Sequence, residues 1–239
     1  MVVLPQDEAG RLELQHAWVV DANLGLLKRQ VELAPGAQWP APADCVQVRA
    51  GERLFLFPRA ERGELDLQAA AVLDTAALRV APIAFAGHQP GSCCADVLAL
   101  DDAAGHPALL VVPRRHDRSP NYAQLCLIDL SPGAAAAGAL PCRLLALESP
   151  GALPALDCRF FAVGQRVFAV SSDRRHANVV GVLAPFEGKA QAYAADIRGQ
   201  ASAGLDVERS GADLVFVPLD ANGRRCPADV SILDCNLVV

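Results

Sequence analysis

The chain has 239 residues, of which 52% are hydrophobic, with 18 glycines and 17 prolines; this excludes a disordered or fibrous polymer and describes a turn-rich globular protein. A formal net charge of −6 gives no whole-chain support for binding nucleic acid or an anionic membrane, and 5% aromatic residues leave little for a base-stacking platform. A folded chain of this size buries roughly 70–75% of its unfolded surface, so its core needs no disulfide or metal staple.

The first residues, Met1 to Glu8, show neither a basic segment nor an apolar export segment, and no apolar run reaches the roughly eighteen residues that span a bilayer. The expected setting is cytoplasmic or otherwise intracellular. None of the 8 cysteines forms a C-x-x-C pair, and several lie in apolar runs, where a thiol acts as a small hydrophobe. Buried free thiols are expected.

In chain order, Ala17-Trp18-Val19-Val20-Asp21 and Leu26 to Leu33 read as two strands, half of a unit at about 12–35. From Asp44 a repeat begins. Asp44 to Phe55 and Asp157 to Phe168 align without a gap as D-C-x5-G-x-R-[LV]-F. Looser copies run from Asp96 through Gly105 and from Asp206 through Gly211. Pro58, Pro113 and Pro218 each close an apolar run, and an aspartate closes the next one sixteen positions on, at Asp74, Asp129 and Asp234. Ser171 replaces the proline in the remaining unit, where the hairpin is shorter.

Each unit therefore reads as strand A, a glycine turn, strand B, a polar hairpin, strand C ending in Asp, and a shorter strand D. In the unit at 156–198 the expected strands are Cys158–Val163, Arg166–Val170, Val179–Leu183 and Ala190–Ile197. No window holds a helical period over ten residues. The units, at about 12–35, 44–86, 93–148, 156–198 and 204–239, are expected to make one domain over 1–239. The N-terminal half unit and the C-terminal stub, Asn236 to Val239, could complete one another in a ring of four or five blades.

These units resemble those of β-propeller repeat proteins. The resemblance implies an all-β, propeller-like array of four-stranded antiparallel units, with a two-sheet β-sandwich as the alternative. The stretch Arg159 to Val170 is also similar to kelch-like and F-box-associated propellers of plants, although the Gly-Gly doublet of kelch repeats and a preceding F-box are absent.

In a propeller the B–C hairpins share a face with the openings of the A strands, which brings two features together. The first is a set of strand-opening aspartates, Asp44, Asp157 and Asp206, with Asp96 a less regular fourth. Converging carboxylates bind Ca2+ or divide acid and base roles, so they are the candidate catalytic or metal residues of a glycosidase- or lactonase-type hydrolase. The alternative is that each caps its own turn. The second feature is arginine in the hairpins, with Arg114-Arg115-His116, Arg174-Arg175-His176 and Arg224-Arg225 the densest clusters. Their planar forks suit carboxylate or phosphate, pointing to a protein partner or an anionic ligand. His116 with Asp117 and His176 with Asp173 are candidate acid–base neighbours, and the strand-closing Asp21, Asp74, Asp129 and Asp234 read as turn residues. No phosphate-binding loop, zinc-protease or serine-hydrolase signature occurs. The leading expectation is a non-enzymatic binding or scaffold module with no cofactor, and Ca2+ belongs only to the hydrolase alternative.

Overall fold

The computed structural model describes residues 2–3, 16–20, 27–32, 44–50, 52–59, 64–77, 79–88, 93–131, 133–134, 139–171, 179–195 and 204–236. Among the described residues the strands fall into four sheets. The fold is the all-β, propeller-like array of antiparallel units that the repeat predicts, not a β-sandwich. The chain forms two compact units, Met1–Ala95 with Asp129–Cys142, and Asp96–Ile128 with Arg143–Val239.

In the first unit, β1 (Val2–Val3), β2 (His16–Val20) and β3 (Leu27–Glu32) form an antiparallel sheet. The two strands expected of the half unit are thus joined by a third. Next come β4 (Asp44–Ala50), β5 (Arg53–Arg59), the short β6 (Glu64–Leu65), β7 (Ala71–Asp74) and β8 (Arg79–Pro82). β4, β5, β7 and β8 pair in that order, supplying strands A to D of one repeat. Leu56 and Ala71 are fully buried beneath Cys45, Leu54 and Val80. One strand departs from the repeat: β9 (Ala84–Gly87) pairs in parallel with β13 (Ala139–Leu144). Gly87 has φ +91°, and a Cβ there would stand 2.5 Å from the Cys142 carbonyl oxygen, so this close approach needs glycine.

The next repeat runs through β10 (Cys93–Asp101), β11 (Pro107–Pro113), β12 (Cys126–Asp129) and β13, in that order. In the second unit it is followed by β14 (Cys158–Val163), β15 (Arg166–Ser171), β16 (Val179–Ala184) and β17 (Lys189–Ala194). Then come β18 (Gly204–Ser210), β19 (Asp213–Leu219) and β20 (Ser231–Asp234). Alternation along β15 explains its unbroken apolar sequence. Val167 and Ala169 join a core with Leu110, Val112, Leu125 and Leu183, while Phe168 and Val170 join another with Val207, Leu214 and Phe216. Side chains of successive strand residues point to opposite faces, so a sheet covered on both sides needs apolar residues at every position.

Two local devices set the strand registers. The β4–β5, β14–β15 and β18–β19 connections are two-residue hairpins, with Ala50 opposite Arg53, Val163 opposite Arg166 and Ser210 opposite Asp213. Gly164 and Gly211 take φ of +58° and +63° there, the left-handed region that a tight hairpin requires at its first turn position. The B–C connections are measured from the prolines. The carbonyls of Pro58, Pro113 and Pro218 accept the backbone N–H groups of Asp66, Asn121 and Cys226, at 2.9, 2.7 and 2.8 Å. A 3-10 turn follows each bond, at Leu67–Ala69, Tyr122–Gln124 and Pro227–Asp229, and strand C starts after one more residue. This common path produces the sixteen-residue spacing. A strand residue directs its N–H and C=O to the same side, so a proline whose carbonyl serves the hairpin gives up no hydrogen bond of the A–B ladder.

Candidate functional site

The strand-opening acids do not form a uniform set. Asp44 begins β4, with its backbone opposite Arg59, while its side chain lies outside the described residues. Asp157 immediately precedes β14. Asp96 and Asp206 instead lie inside β10 and β18, which corrects the expectation that they open their strands. The ladder shows why: Pro58 faces Cys45 and Pro218 faces Leu205, so the position equivalent to Asp44 is Gly204. Matching the turn glycines in sequence concealed a two-residue extension of β18.

Arg114, directly after Pro113, is the centre of a polar cluster that lies wholly in the second unit. Its Nε donates to Asp96 Oδ2 at 2.6 Å, and its Nη1 to Asp157 Oδ1 at 2.5 Å and to the Arg118 carbonyl at 2.8 Å. Nη2 donates to the Cys158 carbonyl at 2.6 Å. The guanidinium lies 5.6 Å from the centroid of Phe160, and only 15% of the side chain is exposed. Burial works against its charge, but the hydrogen bonds and opposite charges of Asp96 and Asp157 outweigh that and raise its pKa above the ordinary arginine value. Arg59, which follows Pro58, donates to the Ala95 carbonyl at 3.1 Å. In both repeats, the arginine after the proline reaches a carbonyl on the following repeat's strand A.

Tyr122 and Cys158 lie beneath this cluster. The Tyr122 hydroxyl donates to the Pro154 carbonyl at 2.8 Å and lies 3.8 Å from Cys158 Sγ. Burial raises the tyrosine pKa and pushes the thiol up to about 11, so both are neutral near pH 7. Cys158 is a packing residue rather than a thiolate nucleophile. Cys126, Cys142 and Cys235 are also buried.

A second cluster carries the alternation of charge onward. Arg159 donates to Asp206 at 3.3 Å, and Arg225 donates to Asp206 at 2.5 Å and also pairs with Glu208. Arg159 also lies 5.4 Å from the centroid of Phe161. Burial would raise the Asp206 pKa, but hydrogen bonds from Arg225 and Arg159 outweigh it and hold the carboxyl below its usual value. A depressed carboxyl is an anion at neutral pH and is poorly suited to serve as a general acid.

Sequence reasoning identified both halves of these clusters but missed that they are partners. Of the acids read as a mouth of carboxylates, Asp96 and Asp157 pair with Arg114 and Asp206 with Arg225, two of the arginines read as a rim. Among the described residues no three His, Cys, Asp or Glu side chains stand together as metal ligands. His116 is exposed, while its neighbour Asp117 accepts instead from Ser119 N and Oγ, at 2.9 and 2.6 Å. Arg174, Arg175, His176 and Asp173 lie outside the described residues, as does Asp21. The strand-closing acids act in turns: Asp74 accepts from Ala76 N and Ala77 N, Asp129 from Ser131 N and Asp234 from Asn236 N. Arg115, Arg118 and Arg224 are exposed, and their side chains make no hydrogen bond or ion pair among the described residues.

No family model matches the chain, and no curated protein does. The similarity to kelch-like and F-box-associated propellers therefore has no family match behind it. Solved structures similar to this chain include BamB from Moraxella catarrhalis, with 14% identity and a TM-score of 0.37 over 93% of this chain and 62% of that one. Dihydro-heme d1 dehydrogenase NirN in complex with DHE has 12% identity and a TM-score of 0.41, over 98% of this chain and 48% of the other. AztD from Citrobacter koseri has 11% identity and a TM-score of 0.32, over 93% of this chain and 64% of that one. The chain thus spans under two thirds of the length of each. Likenesses this weak transfer no function.

Proposed function

We propose that this chain is a non-enzymatic binding or scaffold module that recognises an acidic protein surface through its B–C hairpins. One observation carries the reading. The acids beside the hairpins, Asp96, Asp157, Asp206 and Glu208, are already paired with Arg114, Arg159 and Arg225, while Arg115, Arg118 and Arg224 are exposed and make no ion pair among the described residues. Carboxylates already paired do not compete for the exposed arginines, whose guanidinium forks suit bidentate contact with an incoming acidic group. The paired arginines hold the frame, and the exposed ones face the partner.

The test uses a fluorescent polyglutamate peptide and the full chain, with binding followed by anisotropy. Binding should weaken with added salt and fall about tenfold or more in the triple variant Arg115→Glu, Arg118→Glu, Arg224→Glu, which leaves Arg114 and Arg225 in place. Salt-insensitive binding, or equal binding by the variant, removes the proposal.

A further inference from the structure

We infer that the first compact unit binds a small amphipathic monoanion, a short aliphatic carboxylate, in the cavity beside β5, β7 and β8. The cavity has a volume of about 380 Å3 and is lined by Arg53, Phe55, Val72, Asp74, Arg79 and Leu140, among others. That volume falls within the range of small-molecule sites.

Strand register explains the order of its lining. Arg53 on β5 is opposite Asp74 on β7, which is opposite Arg79 on β8. Two residues along each strand, Phe55, Val72 and Ala81 form the adjacent row on the same face. A charged row therefore borders an apolar row, and Leu140 of β13 extends the apolar wall. Paired strands are about 4.8 Å apart, so the two arginine backbones stand roughly 10 Å from each other with Asp74 between them.

The charges in this row are not balanced internally. Asp74 Oδ1 accepts from Ala76 N at 2.9 Å and from Ala77 N at 2.8 Å, which holds the carboxylate in its own turn. Neither Arg53 nor Arg79 makes an ion pair or side-chain hydrogen bond among the described residues. Two guanidinium groups against one carboxylate leave one positive charge at the rim of an apolar cavity. A monoanion balances that charge, and a carboxylate matches the planar fork of either arginine. An aliphatic body covers Val72 and Ala81, where apolar contact adds roughly 25 cal/mol per Å2 of surface removed from water.

Octanoate titrated calorimetrically into the full chain, with octanol and octyl phosphate as companion probes, tests the site. Octanoate should bind one to one and more tightly than either companion. Arg53→Gln and Arg79→Gln should each weaken it about tenfold, and both positions are open enough to solvent to accept the change. Ala81 is exposed, so Ala81→Leu should fold normally and abolish binding by filling the cavity. The triple hairpin variant at Arg115, Arg118 and Arg224 should bind octanoate like the unaltered chain. Absence of octanoate binding, equal binding of octanol, tighter binding of octyl phosphate, or unchanged affinity in the two arginine variants overturns the assignment.

Discussion

The hairpins after Pro113 and Pro218 share a backbone path but use arginine differently. In the first, the residue after the proline is Arg114, with an 85% buried side chain that spends Nε, Nη1 and Nη2 on two carboxylates and two carbonyls. In the second, that position is Leu219, and Arg225 comes near the end of the hairpin, with 54% of its side chain exposed. Both arginines touch two acids. What separates them is desolvation, so the same pairing chemistry makes a structural clamp in one place and a solvated contact in the other.

The sharpest way to break the comparison is Arg114→Ala. It leaves the Asp96 and Asp157 carboxylates and two carbonyls without their donor, and should cost about 2–4 kcal/mol, measured by urea unfolding. Arg114→Lys should recover only part of this, because an ammonium cannot reproduce the planar fork. Tyr122→Phe, which removes the donor to the Pro154 carbonyl beneath the clamp, should cost about 1–2 kcal/mol in the same assay.

At the other hairpin the effects shrink. Arg225→Ala should lower the melting temperature less than Arg114→Ala or Tyr122→Phe, and added salt should erase its effect. pH sharpens this contrast. The folded Asp206 carboxyl has a depressed pKa, so its contribution is fully present above the unfolded value near 4 and is lost as pH falls through the lower folded value. The stability gap between the unaltered chain and Asp206→Asn should therefore be flat from neutral pH down to about 5 and close in more acidic solution.

Much of the fold was legible because its determinants are local. The strands expected at Cys158–Val163, Arg166–Val170 and Val179–Leu183 differ from β14, β15 and β16 by at most one residue at one end. Apolar runs, a turn glycine and a strand-closing aspartate announce themselves within a few residues. Strand D was less clear: β17 runs from Lys189 to Ala194, its mostly exposed residues carry little apolar pattern, and the expected end at Ile197 lies outside the described residues. The parallel pairing of β9 with β13 had no local signal, as it joins segments more than fifty positions apart. The site was legible in its residue types and obscure in its pairings. Arg114 and Asp157 are 43 positions apart, and only the folded strands show that each neutralises the other.

The bond from each proline carbonyl to the amide eight residues on has a consequence for how this protein can be altered. In each case the 3-10 turn and strand C follow it at the same interval. The intervals 59–65, 114–120 and 219–225 are thus cassettes of equal length. Apart from Arg114 and Arg225, which are tied to acids outside their intervals, the exposed side chains of 114–120 and 219–225 are exchangeable while the junctions stay constant.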